Sequence, residues 1–170
     1  LTFASALRSI LRQDPDIIMI GEIRDKETAS IAVQASITGH LVVSTMHTNN
    51  AVGTLNRIAD MGIARYLVAD AIIGVIAQRL VRKLCPHCRQ KRPATDKEKR
   101  ILRRSEAEQT EVYEPVGCKL CNNTGYFGRT GVFEIMEVSD DMRRLIAENA
   151  STEEMIAAAK QGGMRTLREN

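Results

Sequence analysis

Two short, largely apolar runs, Ile17–Ile20 and Leu41–Ser44, lie between segments of helical periodicity in the first part of the chain. Neither run alternates apolar with polar residues, which is typical of strands buried on both faces of a parallel sheet. The order helix, strand, helix, strand, helix therefore predicts a doubly wound α/β fold. Two strands are too few for a stable sheet of this class, so we expect further strands to precede Leu1.

Turn and capping residues set the boundaries of the predicted elements. Pro15 ends a first helix over 1–13, because proline disfavours the α conformation at Asp14 and has no N–H group. Gly39 follows a second helix over 25–37, where a C-terminal cap is expected. Further helices are predicted over 50–61, 64–76, 96–104, 139–149 and from the capping box Ser151–Glu154 to Gly162, a strand over 132–138, and a candidate strand of the first sheet over 78–84.

Composition and hydropathy exclude several classes of protein. Apolar residues make up 44% and charged residues 26% of the chain, which is typical of a soluble globular protein and not of a disordered tail. The densest apolar stretch, over 68–77, contains Asp70 and is shorter than the roughly 18–20 residues of a membrane span. No basic segment followed by an apolar block opens the chain, so the sequence does not indicate secretion. It begins without methionine and directly in a helical pattern, so we expect a part of a longer protein.

All four cysteines lie in two C-x-x-C pairs, Cys85 with Cys88 and Cys118 with Cys121. Two such pairs can converge on one tetrahedral ion, and four thiolates favour structural zinc with no open position for catalysis. Two disulfides, which would require export, and redox-active thiols are the alternatives. The 29 residues between the pairs exceed the spacer of a compact zinc ribbon, so we expect them to hold an element of their own. His87 is expected to be a surface residue and not a ligand.

The segment from Arg79 to Arg104 carries eleven Lys and Arg residues against two acidic ones, a net charge of +9. One interpretation is a solvated helical face beside the thiolates, and another is a zinc-ribbon module that binds nucleic acid. The segment contains no aromatic residue on which a base could stack. We therefore expect no nucleic-acid partner.

Polar residues directly follow both predicted strands: Gly21, Glu22, Arg24 and Asp25 follow the first and His47 the second. In open α/β sheets, ligands bind outside the carboxyl ends of the strands. A carboxylate and an imidazole at that edge could orient a water and contact a phosphoryl group. A helix N-cap at Asp25 and a structural histidine at His47 are the alternatives.

Three motifs, in the same order, resemble those of the type II secretion and type IV pilus assembly ATPases. They are a Walker B segment (Leu11–Asp16 and Gly21–Asp25), a histidine box (Thr38–Leu41 and Ser44–Asn49) and a tetracysteine region (Gln78–Leu80, the two cysteine pairs and Gly125–Gly131). The resemblance covers essentially the whole chain. The cysteine region favours the extension motors of this superfamily over its retraction motors.

The resemblance implies an α/β fold with part of a RecA-like P-loop NTPase core at residues 1–84, an inserted four-cysteine zinc module at 85–131 and a C-terminal strand and helical segment at 132–170. It implies a cytoplasmic, homohexameric motor, peripheral to the inner membrane, that hydrolyses ATP with Mg²⁺ to assemble a pilus or pseudopilus and contacts an inner-membrane platform protein. The implied residue roles are a catalytic glutamate that polarises the attacking water (Glu22), a histidine on the γ-phosphate side (His47), nucleotide-binding residues (Gly21, Arg24 and Asp25) and zinc ligands (Cys85, Cys88, Cys118 and Cys121).

Two departures from an ordinary P-loop ATPase limit what the chain can do alone. Gly21 stands where a Walker B strand ordinarily carries aspartate, a substitution that the family shares, so magnesium would depend on a P-loop hydroxyl and on waters. No G-x-x-x-x-G-K-[ST] motif occurs in the sequence, and Gly125–Gly131 lacks the Gly-Lys pair. Because the Walker A half is missing, we predict that this chain neither binds ATP tightly nor hydrolyses it.

Overall fold

The computed structural model describes residues 2–170, which divide into two compact units. Unit 1 comprises the residues up to Gln78 together with Phe133–Asn170, and unit 2 comprises Arg79–Val132. Within residues 2–170 the α-helices are α1 (Phe3–Leu11), α2 (Lys26–Ile37), α3 (Ala51–Asp60), α4 (Arg65–Ala71), α5 (Asp96–Ile101), α6 (Asp140–Ala147) and α7 (Thr152–Gln161). The strands are β1 (Ile17–Ile20), β2 (Leu41–Ser44), β3 (Gly74–Leu84), β4 (Gln90–Pro93), β5 (Glu111–Glu114) and β6 (Tyr126–Glu137).

The predicted parallel pair is confirmed: β1 lies beside β2 with Ile17 opposite Leu41. The prediction that both faces of β1 are buried is wrong for this chain. Ile18 and Ile20 pack into a core with residues of α1 and α2, whereas Ile17 is 63% and Met19 is 76% exposed. The reason is that successive side chains of a strand point to opposite faces, and the core of α1 and α2 covers the face that carries Ile18 and Ile20.

Local steric rules set the ends of several elements, as the sequence predicted. Asp14 adopts a left-handed φ of 52° directly before Pro15, and α1 has already ended at Leu11. Gly39, with a φ of 107°, follows the end of α2. Ser151 and Glu154 form the predicted capping box at the start of α7, since each side chain accepts a hydrogen bond from the other residue's backbone N–H.

The region after α4 differs from the prediction. The helix expected over 64–76 ends at Ala71, and β3 begins at Gly74. The expected return of 78–84 to the first sheet is also wrong, because β3 pairs with β6 and not with β1 or β2. A Cβ atom at Gly74 would lie 3.3 Å from the carbonyl oxygen of Met136, so glycine permits the close approach of these two strands. The strand predicted over 132–138 begins earlier, at Tyr126.

The larger core of unit 1 lies among α3, α4, α6 and α7, with α4 packed on α6 and α3 on α7. Its fully buried side chains include Val52, Leu55, Val68, Met136, Met142, Ile146 and Met155. This core therefore joins residues that precede unit 2 in sequence to residues that follow it. The functional division into segments 1–84, 85–131 and 132–170 stays a prediction. Among the helices of residues 2–170, none has both the length and the apolar character required to span a membrane.

Unit 2 contains the antiparallel pair of β4 and β5 and, between these strands in sequence, the predicted helix of the basic segment, α5. Arg92 donates two hydrogen bonds to Glu98, at 2.6 and 2.8 Å, and a third to Glu114 at 2.8 Å. Glu98 also accepts a hydrogen bond from the backbone N–H of Thr95 and so caps the start of α5. The Arg92 guanidinium and this N–H lower the pKa of Glu98 to about 2.

We expect the substitution Glu98→Gln to destabilise the protein at pH 7 and to have little effect near pH 2. The pKa of Glu98 is lower in the folded chain than its ordinary value of 4.5, so the ion pair stabilises the fold above that value and loses this effect as the pH falls towards about 2. Urea unfolding at several pH values measures the difference. Glu106→Gln is the control, because Glu106 is exposed and 3.8 Å from Arg100. An equal loss at both pH values would contradict the expectation.

Candidate functional site

The turns that follow β1 and β2 are joined to each other by two hydrogen bonds. The Thr45 hydroxyl donates to the carbonyl oxygen of Gly21 at 2.6 Å, and the backbone N–H of Ile23 donates to the carbonyl oxygen of Thr45 at 3.2 Å. Because β1 and β2 are parallel neighbours, their carboxyl ends meet at one edge of the sheet. The sequence did not reveal the role of Thr45, although a hydroxyl residue directly after a strand was a usable signal.

Glu22 and His47 lie together at this edge. His47 Nε2 is 3.1 Å from Glu22 Oε1, and Arg24 Nη2 is 2.5 Å from Glu22 Oε2. The side chain of Glu22 is 22% exposed, whereas those of His47 and Arg24 are 89% and 75% exposed. The hydrogen bond from Arg24 lowers the pKa of Glu22 below its ordinary value, so this carboxylate is ionised at neutral pH.

Asp25 serves as the N-cap of α2, which was the alternative interpretation of its position. Its two carboxylate oxygens accept hydrogen bonds from the backbone N–H and the hydroxyl of Thr28, at 2.8 and 2.9 Å. The backbone N–H is the main reason that the pKa of Asp25 is lowered. Gly21, by contrast, adjoins open space, because a Cβ atom there would meet no atom within 4 Å. The nucleotide-binding roles of Gly21, Arg24 and Asp25 stay predictions.

The arrangement can perform two chemical tasks. An ionised carboxylate that is mostly covered by its neighbours can accept a hydrogen bond from a water and hold it in one orientation. An exposed imidazole beside that carboxylate can donate a hydrogen bond to an anionic group such as a phosphate. The geometry is thus suited to water attack on a phosphoryl group, provided that other residues hold the phosphates.

The sulfur atoms of Cys85, Cys88, Cys118 and Cys121 form a second site, in unit 2, and lie within 4.8 Å of one another. Three of the sulfur–sulfur distances are 3.7, 3.8 and 4.0 Å. Four sulfurs bound tetrahedrally to one zinc ion at about 2.3 Å would lie about 3.8 Å apart. A disulfide requires sulfur atoms about 2.05 Å apart, and all four cysteines are free thiols here. The donor set therefore fits zinc, and His87 is exposed on the surface.

Backbone N–H groups orient the sulfur atoms of this cluster. Cys121 Sγ accepts hydrogen bonds from the N–H groups of Cys118 and Gly125, at 3.2 and 3.3 Å, and Cys88 Sγ accepts one from Gly117 at 3.3 Å. Burial raises the pKa of Cys121, but hydrogen bonds from these two N–H groups and from the side chains of Cys118 and Cys88 outweigh it and lower the pKa to about 6. Gly125 has a φ of 74°, and a Cβ atom there would collide with the side chain of Pro115. Such N–H donors are the usual outer support of metal-bound thiolates.

The sequence was compared with protein families and with known relatives. All 170 residues match the family described as type II/IV secretion system protein. The chain is 51% identical to the type II secretion system protein HxcR of Pseudomonas aeruginosa over its whole length, and it covers 33% of that protein. It is 46% identical over 172 aligned residues to the type IV pilus assembly ATPase PilB of Thermus thermophilus, covering 100% of this chain and 19% of that protein. The chain thus spans a third or less of the length of these relatives.

Two solved structures are similar to this chain in fold. The pilus retraction motor PilT with bound ADP is similar with a TM-score of 0.59 and 28% identity, over 99% of this chain and 42% of PilT. The ATPase DotB of Legionella pneumophila has a TM-score of 0.56 over 94% of this chain and 34% of its own, and at 22% identity it bears on the fold alone. The resemblance that three motifs indicated is confirmed by the family match across every residue and by the relatives from type II secretion and type IV pilus assembly. The chain belongs to the type II/IV secretion system protein family.

Proposed function

We propose that the chain supplies the Walker B and histidine-box part of an ATPase motor that drives type II secretion or type IV pilus assembly. The observation that carries the proposal is the 3.1 Å contact between Glu22 and His47 at the shared edge of two parallel strands. Relatives named as a type II secretion system ATPase and as a pilus assembly ATPase support the reaction class. The tetracysteine cluster supports the extension-motor branch.

In this proposal Glu22 polarises the water that attacks the γ-phosphate of ATP. Each of its carboxylate oxygens has one partner here, Arg24 or His47, and a further lone pair that can accept a hydrogen bond from a bound water. His47 would then donate to a phosphate oxygen. ATP and Mg²⁺ would supply the reacting phosphoryl group and the charge that balances it.

We also propose that Cys85, Cys88, Cys118 and Cys121 hold one structural zinc ion in unit 2. The sulfur–sulfur distances and the N–H donors to Cys88 and Cys121 support this assignment. Four thiolates leave no position for a water, so the ion would stabilise the fold of unit 2 and take no part in hydrolysis.

The assembly and location of the motor are proposals that rest on family membership. We infer that the full-length protein is a homohexamer in the cytoplasm, peripheral to the inner membrane, where it contacts a platform protein of the secretion or pilus machine. The names of the relatives support this context, since they are proteins of secretion systems and of pilus assembly.

We expect the 170-residue chain to release phosphate from ATP at the background rate, whereas a protein of the full length of its relatives turns ATP over. The sequence has no P-loop lysine or P-loop hydroxyl to hold the phosphates. Phosphate release by both proteins, each with its Glu22→Gln variant, tests the expectation. Turnover by the 170-residue chain that Glu22→Gln abolishes would contradict it.

A further inference from the structure

Glu134 is a buried carboxylate that neither site described above uses. It lies on β6 in unit 1 and is 3% exposed, and it is the one acidic or basic residue that is fully buried among residues 2–170. A buried carboxylate requires hydrogen-bond donors around it. The role of Glu134 is therefore indicated by the groups that donate hydrogen bonds to it.

Both oxygens of Glu134 accept hydrogen bonds from backbone groups that are remote in sequence. The N–H of Ala51 donates to Oε1 at 2.7 Å, and the N–H of Leu167 donates to Oε2 at 3.2 Å. Ala51 is the first residue of the ten-residue helix α3, so the negative charge lies at the favourable end of the helix dipole. Leu167 belongs to the C-terminal segment 164–170, which is also tied to β6 by a hydrogen bond from Asn170 to Phe133.

The first turn of α3 is continuous with the turn that carries His47. The Thr48 and Thr54 hydroxyls form a hydrogen bond at 2.9 Å, which joins the residue after His47 to α3. At the other end of this turn, the Thr45 hydroxyl is bonded to Gly21. The turn 45–50 is thus fixed at one end to the Glu22 turn and at the other to a helix whose N-terminus is bound to Glu134.

We propose that Glu134 is a positioning residue for His47, and that through its two oxygens it couples the C-terminal segment 164–170 to the His47 turn. The importance of this coupling for hydrolysis rests on the function proposed above. If the C-terminal segment were displaced, Oε2 would lose its donor and the buried carboxylate would have to move or take up water. Either change would weaken the hydrogen bond from the Ala51 N–H to Glu134 and would shift the turn that places His47 beside Glu22.

The test is nuclear magnetic resonance of the 170-residue chain and its Glu134→Gln variant, without nucleotide. Glutamine has almost the same shape but places an NH₂ group against one of the two N–H donors. We expect the Ala51 amide to exchange about tenfold faster or more, as for the loss of a hydrogen bond to a charged group, and the ring resonances of His47 to shift. Glu137→Gln, an exposed change on the same strand, should leave both unchanged.

A second pair of variants acts from the other end and decides the matter if Glu134→Gln does not fold. Leu167→Pro removes the N–H that reaches Oε2, whereas Leu167→Ala keeps it. We expect Leu167→Pro to shift the His47 ring resonances and Leu167→Ala to leave them in place. The proposal would be overturned if the His47 ring resonances stay in place although the hydrogen bond from Ala51 or from Leu167 to Glu134 has been lost. Glu134 would then be a structural residue alone. Because no ATP is used, this result is independent of whether the proposed hydrolysis is correct.

Discussion

In the full-length protein, Glu22→Gln is expected to lower ATP turnover by roughly 10² to 10⁴-fold, the usual contribution of a positioned general base. Glutamine keeps the size of the side chain and can still contact His47, but it cannot accept a proton and leaves Arg24 without its ion pair. Because the change removes charge and not volume, we expect ATP binding to be retained. Steady-state phosphate release together with equilibrium binding of ATP separates the two effects.

Glu27→Gln is the matched control for this variant. Glu27 lies five residues away, at the start of α2, and its exposed side chain pairs with Arg8 at 2.9 Å. The variant Glu27→Gln therefore removes the same charge as Glu22→Gln, but at a position away from His47 and Gly21. Turnover should stay near that of the wild type. Glu22→Gln turnover above half of the wild-type rate would refute the assignment of Glu22 as the group that activates water.

Removal of zinc is expected to unfold unit 2 and to leave the core of unit 1 intact. The ion would bind with an apparent free energy of about 10–16 kcal/mol, which is folding free energy where the site forms only in the folded state. Few apolar side chains of unit 2 are buried, chiefly Cys85, Ala94 and Cys121, so little else stabilises this unit. Metal analysis should give one zinc per chain, and hydrogen exchange after chelation should show lost protection in Arg79–Val132.

Two variants sharpen the zinc experiment. Cys118→Ser removes one of the four ligands and should abolish stable zinc binding. His87→Ala is the control, because His87 lies between Cys85 and Cys88 but its side chain is exposed. We expect the second variant to keep the metal and the exchange protection of the wild type. Zinc near zero per chain in a folded protein, or full protection of unit 2 without metal, would exclude the structural zinc site.

Local features of the sequence could be predicted because they depend on neighbouring residues alone. Pro15 forces Asp14 out of the helical region, and Ser151 and Glu154 satisfy each other's N–H groups wherever their helix packs. The partner of β3 could not be predicted in this way, because strand pairing joins residues far apart in sequence. The run 72–76 also suits a helix and a strand equally, and only the pairing with β6 decides between them.

The candidate site was predictable to the extent that it follows from strand order. In a pair of parallel strands, the residues that follow each strand lie at the same edge of the sheet. Strand order alone therefore predicted that Glu22 lies beside His47. The supporting bonds of Thr45 and Glu134 could not be derived, since each reaches a partner more than 20 residues away. Glu134 did leave one signal: it lies in phase with Met136 and Val138, on the buried side of its strand.

The most direct test of the proposed nucleotide site is a structure of the full-length protein with Mg²⁺ and a non-hydrolysable ATP analogue. We expect Glu22 within hydrogen-bond reach, about 2.6–3.2 Å, of a water in line with the γ-phosphate, and His47 beside a γ-phosphate oxygen. An analogue bound with the γ-phosphate facing away from both side chains would contradict the role that we assign to the ends of β1 and β2.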